Sequence, residues 1–239
     1  MIIPGGVEKM RDYTIYYGLT FLAFFITYGA QLYIKSVYSK YSKIASAKGM
    51  TGAAVAKELL FNNELYDVSV TEAGGMLTDH YDPRTPGISL SQNNYESSSI
   101  AAIAVAAHEC GHAIQDKEKY ALLNIRASLV PLANFSSMAG YISIMLGVMM
   151  GVVNLIWIGI LMECVILLFQ LVTLPVEFDA SRRALLQIQQ YGYVTDEELD
   201  GAKTVLRAAA LTYVAGVAST LLQILRLVLV YGRRNDRRR

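Results

Sequence analysis

Charged residues are scarce in this chain of 239 residues. Only 17% of the residues are charged, whereas soluble domains carry about 25%. The formal net charge is +1, so the chain lacks the basic excess that is typical of nucleic-acid binding, and we predict no nucleic-acid partner. There are only two cysteines, Cys110 and Cys164, which excludes a scaffold held together by several disulfides. Apolar residues, in contrast, make up 54% of the chain and are clustered.

Long uncharged runs account for the apolar excess. Residues 13–34 carry no charge, and residues 127–176 carry a single one, Glu163. A helix that crosses a bilayer needs about 20 apolar residues. The first run therefore predicts one crossing, and the second predicts a hairpin of two helices with its turn near residues 151–154. With a further apolar run over 208–231, the sequence predicts a mainly α-helical membrane protein with about four transmembrane helices.

Four crossings divide the chain into five segments. They are an N-terminal segment with the first transmembrane helix (1–34), a polar segment (35–126), the hairpin (127–176), a second polar segment (177–207) and a fourth helix with a basic tail (208–239). The two polar segments then share one side of the membrane, opposite both termini. Lys and Arg residues near the membrane ends nearly balance between the sides, and we expect the polar segments to face the cytoplasm.

The polar segments contain patterns of short helices and strands. They predict a helix over 51–65, strands over 67–71, 77–81 and 88–91, and a long helix over 97–116. Thr51 is a candidate N-cap of the first of these helices. Thr195 and Glu198 have the spacing of a capping box, which predicts a helix that continues into the last membrane segment.

One motif carries chemistry. His108, Glu109 and His112 form the pattern H-E-x-x-H, which is meaningful only on a helix. Residues four apart lie on one helical face, so both imidazoles can bind one metal ion. Zinc lowers the pKa of a bound water to about 7, and the neighbouring carboxylate can take its proton. The motif predicts a zinc hydrolase site with Glu109 as the catalytic base.

A catalytic zinc ion usually has three protein ligands and one open position. His80 is the only other histidine in the chain. Glu177 and Asp179 follow Pro175, and a proline followed by acids is typical of a helix start. The residues alone leave Glu177, Asp179 and His80 open as the third ligand.

The chain resembles a known family over nearly its whole length, and three stretches carry the resemblance most clearly. They are Thr78 to Thr85 (Thr-Asp-His-Tyr-Asp-Pro-Arg-Thr), His108 to Gln115, and Leu174 to Ala184. They are similar to the YugP-like neutral zinc metallopeptidases of prokaryotic membranes. More distantly, they resemble the integral-membrane gluzincins related to the heat-shock peptidase HtpX and the CAAX-prenyl protease. The resemblance implies a multi-pass protein of a prokaryotic cell membrane, with a zincin-like α+β catalytic portion and one Zn²⁺ per chain.

The resemblance also implies a ligand set. Glu177 occupies the Glu of the distant relatives' Glu-Phe-x-Ala-Asp pattern, so the implied metal ligands are His108, His112 and Glu177. The chain departs from this pattern at Ser181, where those relatives have an aspartate that orients the first histidine. Asp179 is acidic but stands two residues earlier. It remains a rival ligand, and the group that orients the histidines is unassigned.

Two further predictions concern the substrate. In gluzincin-like sites an extended strand beside the metal helix pairs with the substrate backbone, and residues 87–91 are our candidate for that edge. His80, Tyr81 or Arg84 could donate to the oxyanion of the tetrahedral intermediate, and we retain His80 as a second catalytic candidate. Glu163 lies deep in a membrane segment, and we interpret it as structural.

These observations predict an integral-membrane zinc metalloendopeptidase that hydrolyses membrane-associated proteins or peptides. Its partners are then the lipid bilayer and a peptide or membrane-protein substrate. One alternative is a metal-binding membrane scaffold or regulator without peptidase activity. Another is a zinc hydrolase that acts on non-peptide amides.

Overall fold

The computed structural model describes residues 4–75 and 78–236. Parts of three predicted segments lie outside the described residues, namely residues 1–3 of the N-terminal segment, residue 77 of a predicted strand and residues 237–239 of the basic tail. The elements in chain order are α1 (Pro4–Tyr41), α2 (Gly52–Asn62), β1 (Ser69–Ala73), β2 (His80–Asp82), β3 (Gly87–Ser91), α3 (Gln92–Glu96), α4 (Ile100–Lys117), α5 (Ala121–Met150), α6 (Val153–Gln190) and α7 (Asp196–Asp236). The fold is mainly helical, as predicted.

Four helices of the described chain are long and apolar enough to cross a membrane, namely α1, α5, α6 and α7. The predicted hairpin is formed by α5 and α6. Gly151 lies in the turn between them with a φ of +68°, a left-handed conformation that glycine adopts without steric cost. The predicted number of transmembrane helices is thus confirmed.

Both prolines of the hairpin lie inside a helix, and the prediction made for Pro175 was wrong. Pro131 lies well inside α5, which begins at Ala121. Pro175 lies inside α6, so no separate helix begins there. Proline removes one helical hydrogen bond, but long membrane helices tolerate this where neighbouring groups satisfy the freed carbonyl. Glu177 therefore belongs to the same continuous helix as the third crossing.

The chain forms two compact units. Within the described residues, the helical unit comprises the chain up to Ala30, Ile125–Thr173 and the chain from Tyr213 onward. It contains a small apolar core of Ile156, Ile160 and Leu227. In this unit Gln223 donates a hydrogen bond of 2.7 Å to the Glu163 carboxylate. A partner on a neighbouring helix supports the structural interpretation of Glu163.

The mixed unit comprises Gln31–Asn124 and Leu174–Thr212 and contains the sheet. The strand order is β1-β3-β2, with β3 parallel to β1 and antiparallel to β2. The prediction that residues 87–91 form a free edge was wrong, because β3 is the central strand and is paired on both sides. The two edges of the sheet belong to β1 and β2.

The core of the mixed unit surrounds α4. Ser99 caps this helix by accepting a hydrogen bond of 3.2 Å from the backbone N–H of Ala102. Six alanines of α4 are at most 1% exposed, and their small side chains let other elements approach closely. These alanines are Ala101, Ala102, Ala104, Ala106, Ala107 and Ala113.

The two N-terminal helix signals read from the sequence are confirmed. Thr51 caps α2 by accepting from Ala54 N–H at 3.2 Å. Thr195 and Glu198 form the reciprocal bonds of a capping box, at 2.9 and 3.3 Å. This box starts α7, which continues as the fourth candidate crossing, as predicted.

Candidate metal centre

Two histidines of α4 lie side by side on one face of the helix. His108 and His112 are one helical turn apart, and the centroids of their rings are 4.8 Å apart with the ring planes at 83°. The α4 helix extends from Ile100 to Lys117, so the motif sits in its interior, where the backbone geometry is regular. Both imidazoles are largely buried, with side-chain exposures of 16% and 9%.

The third member of the cluster comes from α6. One Glu177 carboxylate oxygen lies 3.3 Å from His108 Nε2 and 3.6 Å from His112 Nε2. All three ligand atoms lie within 4.8 Å of one another. Donors bound at about 2.0–2.1 Å to a tetrahedral zinc ion lie about 3.4 Å apart. The donor set and its spacing therefore fit zinc.

A close approach between α4 and α6 brings the three side chains together. A Cβ atom placed on Gly111 would lie 2.5 Å from the carbonyl oxygen of Ala180, closer than real contacts allow. Ala180 is itself fully buried. Only glycine at position 111 lets the two backbones lie this near, and the approach sets the spacing between the histidines and Glu177.

Replacing Gly111 with alanine is expected to push α4 away from α6. We expect the free energy of unfolding to fall by about 1–3 kcal/mol, the usual cost of overpacking, and the affinity for zinc to fall with it. Thermal unfolding and competition with a chromophoric chelator measure the two effects. Gly29→Ala is the matched control, because that helical glycine has open space around its Cβ position. Equal zinc affinity in Gly111→Ala and wild type would contradict the role of the close approach.

Glu109 is buried beside this cluster, with 7% exposure. Burial raises the pKa of Glu109 above its usual range, while the neighbouring His108 and His112 act in the opposite direction. For His112, burial lowers the pKa, but Glu177, Glu109 and Gln115 together more than offset this, and the net shift is upward. The charges of Glu109, His112 and Glu177 thus affect one another.

Comparison with known proteins agrees with this geometry. Residues 16–232 match the protein family described as "Putative neutral zinc metallopeptidase". The match covers far more than half of the chain. The chain belongs to this family. The expected zinc cofactor is thereby confirmed, since the family is one of zinc enzymes and the described cluster supplies a fitting donor set.

The chain is also similar to one curated relative, "Putative membrane protease YugP" of Bacillus subtilis (strain 168). It is 43% identical over 213 residues, which cover 89% of this chain and 95% of the relative. No solved structure matches the chain. The predicted family resemblance is confirmed, and so is a multi-pass membrane protein, because the relative is a membrane protease by name and four apolar helices are present.

The remaining sequence candidates lie outside the ligand cluster. Asp179 points elsewhere and forms ion pairs with Arg182 and Arg183. His80 is exposed on β2, and its Nδ1 lies 2.8 Å from the carbonyl oxygen of Thr78. Among the described residues, the metal cluster consists of His108, His112 and Glu177 alone.

The two other oxyanion candidates are engaged with acids. Tyr81 donates a hydrogen bond of 2.8 Å to Asp116 on α4. Arg84 pairs with Asp82 at 3.1 Å. Both side chains thus already have acidic partners. The oxyanion role predicted for His80 stays a prediction.

Each zinc-binding candidate histidine has a partner that sequence reasoning did not assign. Ser181 Oγ lies 3.2 Å from His108 Nδ1, so serine occupies the place that the distant relatives' aspartate would take. Gln115 Oε1 lies 3.0 Å from His112 Nδ1. Gln115 is three residues after His112 on the same helix, and that helical spacing is a signal that could have found it.

Proposed function

We propose that this chain is an integral-membrane zinc metalloendopeptidase of the gluzincin type. The observation that carries the proposal is the convergence of His108, His112 and Glu177 with Glu109 on the adjacent helical position. The proposal keeps residues 35–126 and 177–207 as the catalytic segments of the chain. It assigns His108, His112 and Glu177 as metal ligands and Glu109 as the catalytic base.

The roles of the residues follow from their chemistry. A bound zinc ion would supply a water with a pKa of about 7 and would polarise the scissile carbonyl. The Glu109 carboxylate accepts the proton at the start of the reaction and returns it to the leaving amine. Glu109 is only 7% exposed, which limits the access of bulk water to the carboxylate between the two steps.

The substrate class in this proposal is membrane-associated protein or peptide. Glu177 lies on α6, a helix that is itself long and apolar enough to cross a bilayer. Because residues 87–91 form the central strand, the proposed strand that pairs with the substrate backbone is now β2. This strand is an edge of the sheet and is tied to α4 by the bond from Tyr81 to Asp116. His80 on the same strand remains the proposed donor to the oxyanion.

The proposal places the catalytic segments in the cytoplasm. Cysteine labelling tests on which side of the membrane these segments lie. A Tyr66→Cys variant offers a thiol at a residue that is 69% exposed in the mixed unit, in a background with Cys164→Ser. We expect a membrane-impermeant maleimide to leave this thiol unlabelled in intact cells and to label it after lysis. Labelling in intact cells would place the segments outside.

Metal removal tests the activity itself. We expect the purified protein in lipid to cleave members of a peptide library, to lose this activity after zinc is stripped by a chelator, and to regain it when zinc is restored. Small non-peptide amides should be turned over far more slowly. If the zinc-loaded protein cleaves neither peptides nor small amides, the chain is a metal-binding scaffold and not an enzyme. Preferential turnover of small amides would instead support a zinc hydrolase that acts on non-peptide amides.

A further inference from the structure

We propose that Gln115 is a positioning residue that holds His112 in the tautomer with its proton on Nδ1, and that α6 dictates this orientation through Val176 and Asp179. The tautomer matters because it leaves the lone pair of Nε2 free for the metal. The inference rests on the proposed zinc site and adds to it the device that orients one of its ligands.

The contacts of Gln115 form a short bridge between the two helices of the site. Its Oε1 lies 3.0 Å from His112 Nδ1. Its Nε2 donates to the carbonyl oxygen of Val176 at 2.9 Å and to the Asp179 carboxylate at 3.0 Å. Gln115 is fully buried, so water does not compete for any of these bonds. Val176 immediately precedes the ligand Glu177 in the chain.

The direction of each bond follows from which groups can donate. A backbone carbonyl and a carboxylate can only accept, so the amide nitrogen of Gln115 must face Val176 and Asp179. The amide oxygen then faces His112, and an oxygen without hydrogen can only accept from Nδ1–H. In this way two acceptors on α6 determine the proton position on a ring of α4. The reverse arrangement would leave buried donors and acceptors of Gln115 and its partners unpaired, and it is therefore disfavoured.

Ion pairs hold the far end of this bridge. Asp179 pairs with Arg182 and with Arg183, and Arg183 also bonds Glu118 at 2.7 Å. These ion pairs fix the position of the Asp179 carboxylate, which accepts the bond from Gln115. This gives a role to the acid that stands two residues before the position expected from the distant relatives. Asp179 acts on a histidine through Gln115 and does not bind the metal.

The second histidine is held differently. Ser181 lies 3.2 Å from His108 Nδ1, and a hydroxyl can either donate or accept. Serine therefore orients the His108 ring without dictating its proton. Both histidines of α4 thus contact an uncharged side chain through Nδ1. Only for His112 do the neighbouring residues determine which atom donates the hydrogen bond.

The test measures the proton position and the zinc affinity of Gln115→Met, which keeps the side-chain length but removes all three hydrogen bonds. The chain has only 3 histidines, so imidazole ¹⁵N shifts of the zinc-free protein at alkaline pH can be assigned. We expect the Nδ1–H tautomer at His112 in wild type and a shift towards Nε2–H in the variant. Zinc affinity should fall about 10- to 100-fold, as for loss of other groups that orient metal-bound histidines. Gln189→Met, at an exposed glutamine of α6, is the matched control and should bind zinc as wild type does.

The outcomes separate this inference from the proposed function. If wild type binds no zinc, the zinc site itself fails. If wild type binds zinc and Gln115→Met binds it equally tightly, only the role of Gln115 fails. An Nε2–H tautomer at His112 in the wild-type protein would also overturn the inference, even if the variant does not fold.

Discussion

Replacing Glu109 with glutamine lowers kcat for peptide hydrolysis by about 10²- to 10⁴-fold, the range that general acid–base catalysis contributes. Glutamine has nearly the same shape as glutamate but cannot accept the proton. Because the ligand cluster consists of His108, His112 and Glu177, the variant keeps its three donors. We therefore expect it to retain one zinc per chain, as measured by metal analysis, while its turnover collapses.

The control for this substitution is Glu72→Gln, at an exposed acid on β1 of the same unit. It removes the same charge from the mixed unit and should leave kcat unchanged. If Glu109→Gln keeps full activity, Glu109 is not the base. If it retains zinc and cellular function but wild type shows no hydrolysis, the metal serves a structural or regulatory purpose.

Replacing Glu177 with alanine is expected to remove stoichiometric zinc. Structural zinc sites bind with about 10–16 kcal/mol, so one of three protein ligands contributes about 3–5 kcal/mol, or about 10²- to 10⁴-fold in affinity. The Glu177 carboxylate lies 3.3 and 3.6 Å from the two Nε2 atoms, so the substitution removes the third donor of the expected zinc site. Chelator competition gives the affinity, and metal analysis gives the stoichiometry.

Asp179→Ala is the matched control for that experiment. It removes an acid two residues away on the same helix that lies outside the ligand cluster. We expect it to weaken zinc binding at most about tenfold, through the bridge from Gln115 to His112. Retained stoichiometric zinc in Glu177→Ala, together with its loss in Asp179→Ala, would exchange the roles of the two acids.

The composition of long stretches predicted much of this fold. The four membrane helices follow from apolar runs with at most one charge each, whose length matches the bilayer, and the motif helix follows from the alanine-rich run Ile100 to Ala107. The capping box at Thr195 was readable because its two bonds are local in sequence. Such signals need no knowledge of tertiary contacts.

The features that the sequence did not predict depend on contacts between distant segments. The sequence pattern predicted that residues 88–91 form a strand, but nothing in it encodes that β1 and β2 pair on either side of that strand. Pro175 is typical of a helix start, yet α6 continues through it. The role of Gln115 depends on Val176 and Asp179, which lie about sixty residues away in the chain.

The central claim is that His108, His112 and Glu177 hold a zinc ion beside Glu109. X-ray absorption at the zinc edge of the purified, active protein tests it most directly. We predict two imidazole nitrogens and only oxygen besides, at about 2.0–2.1 Å, with no sulfur, because Cys110 is turned towards the carbonyl oxygen of Ala56. A sulfur ligand, or fewer than two imidazoles, would contradict the account.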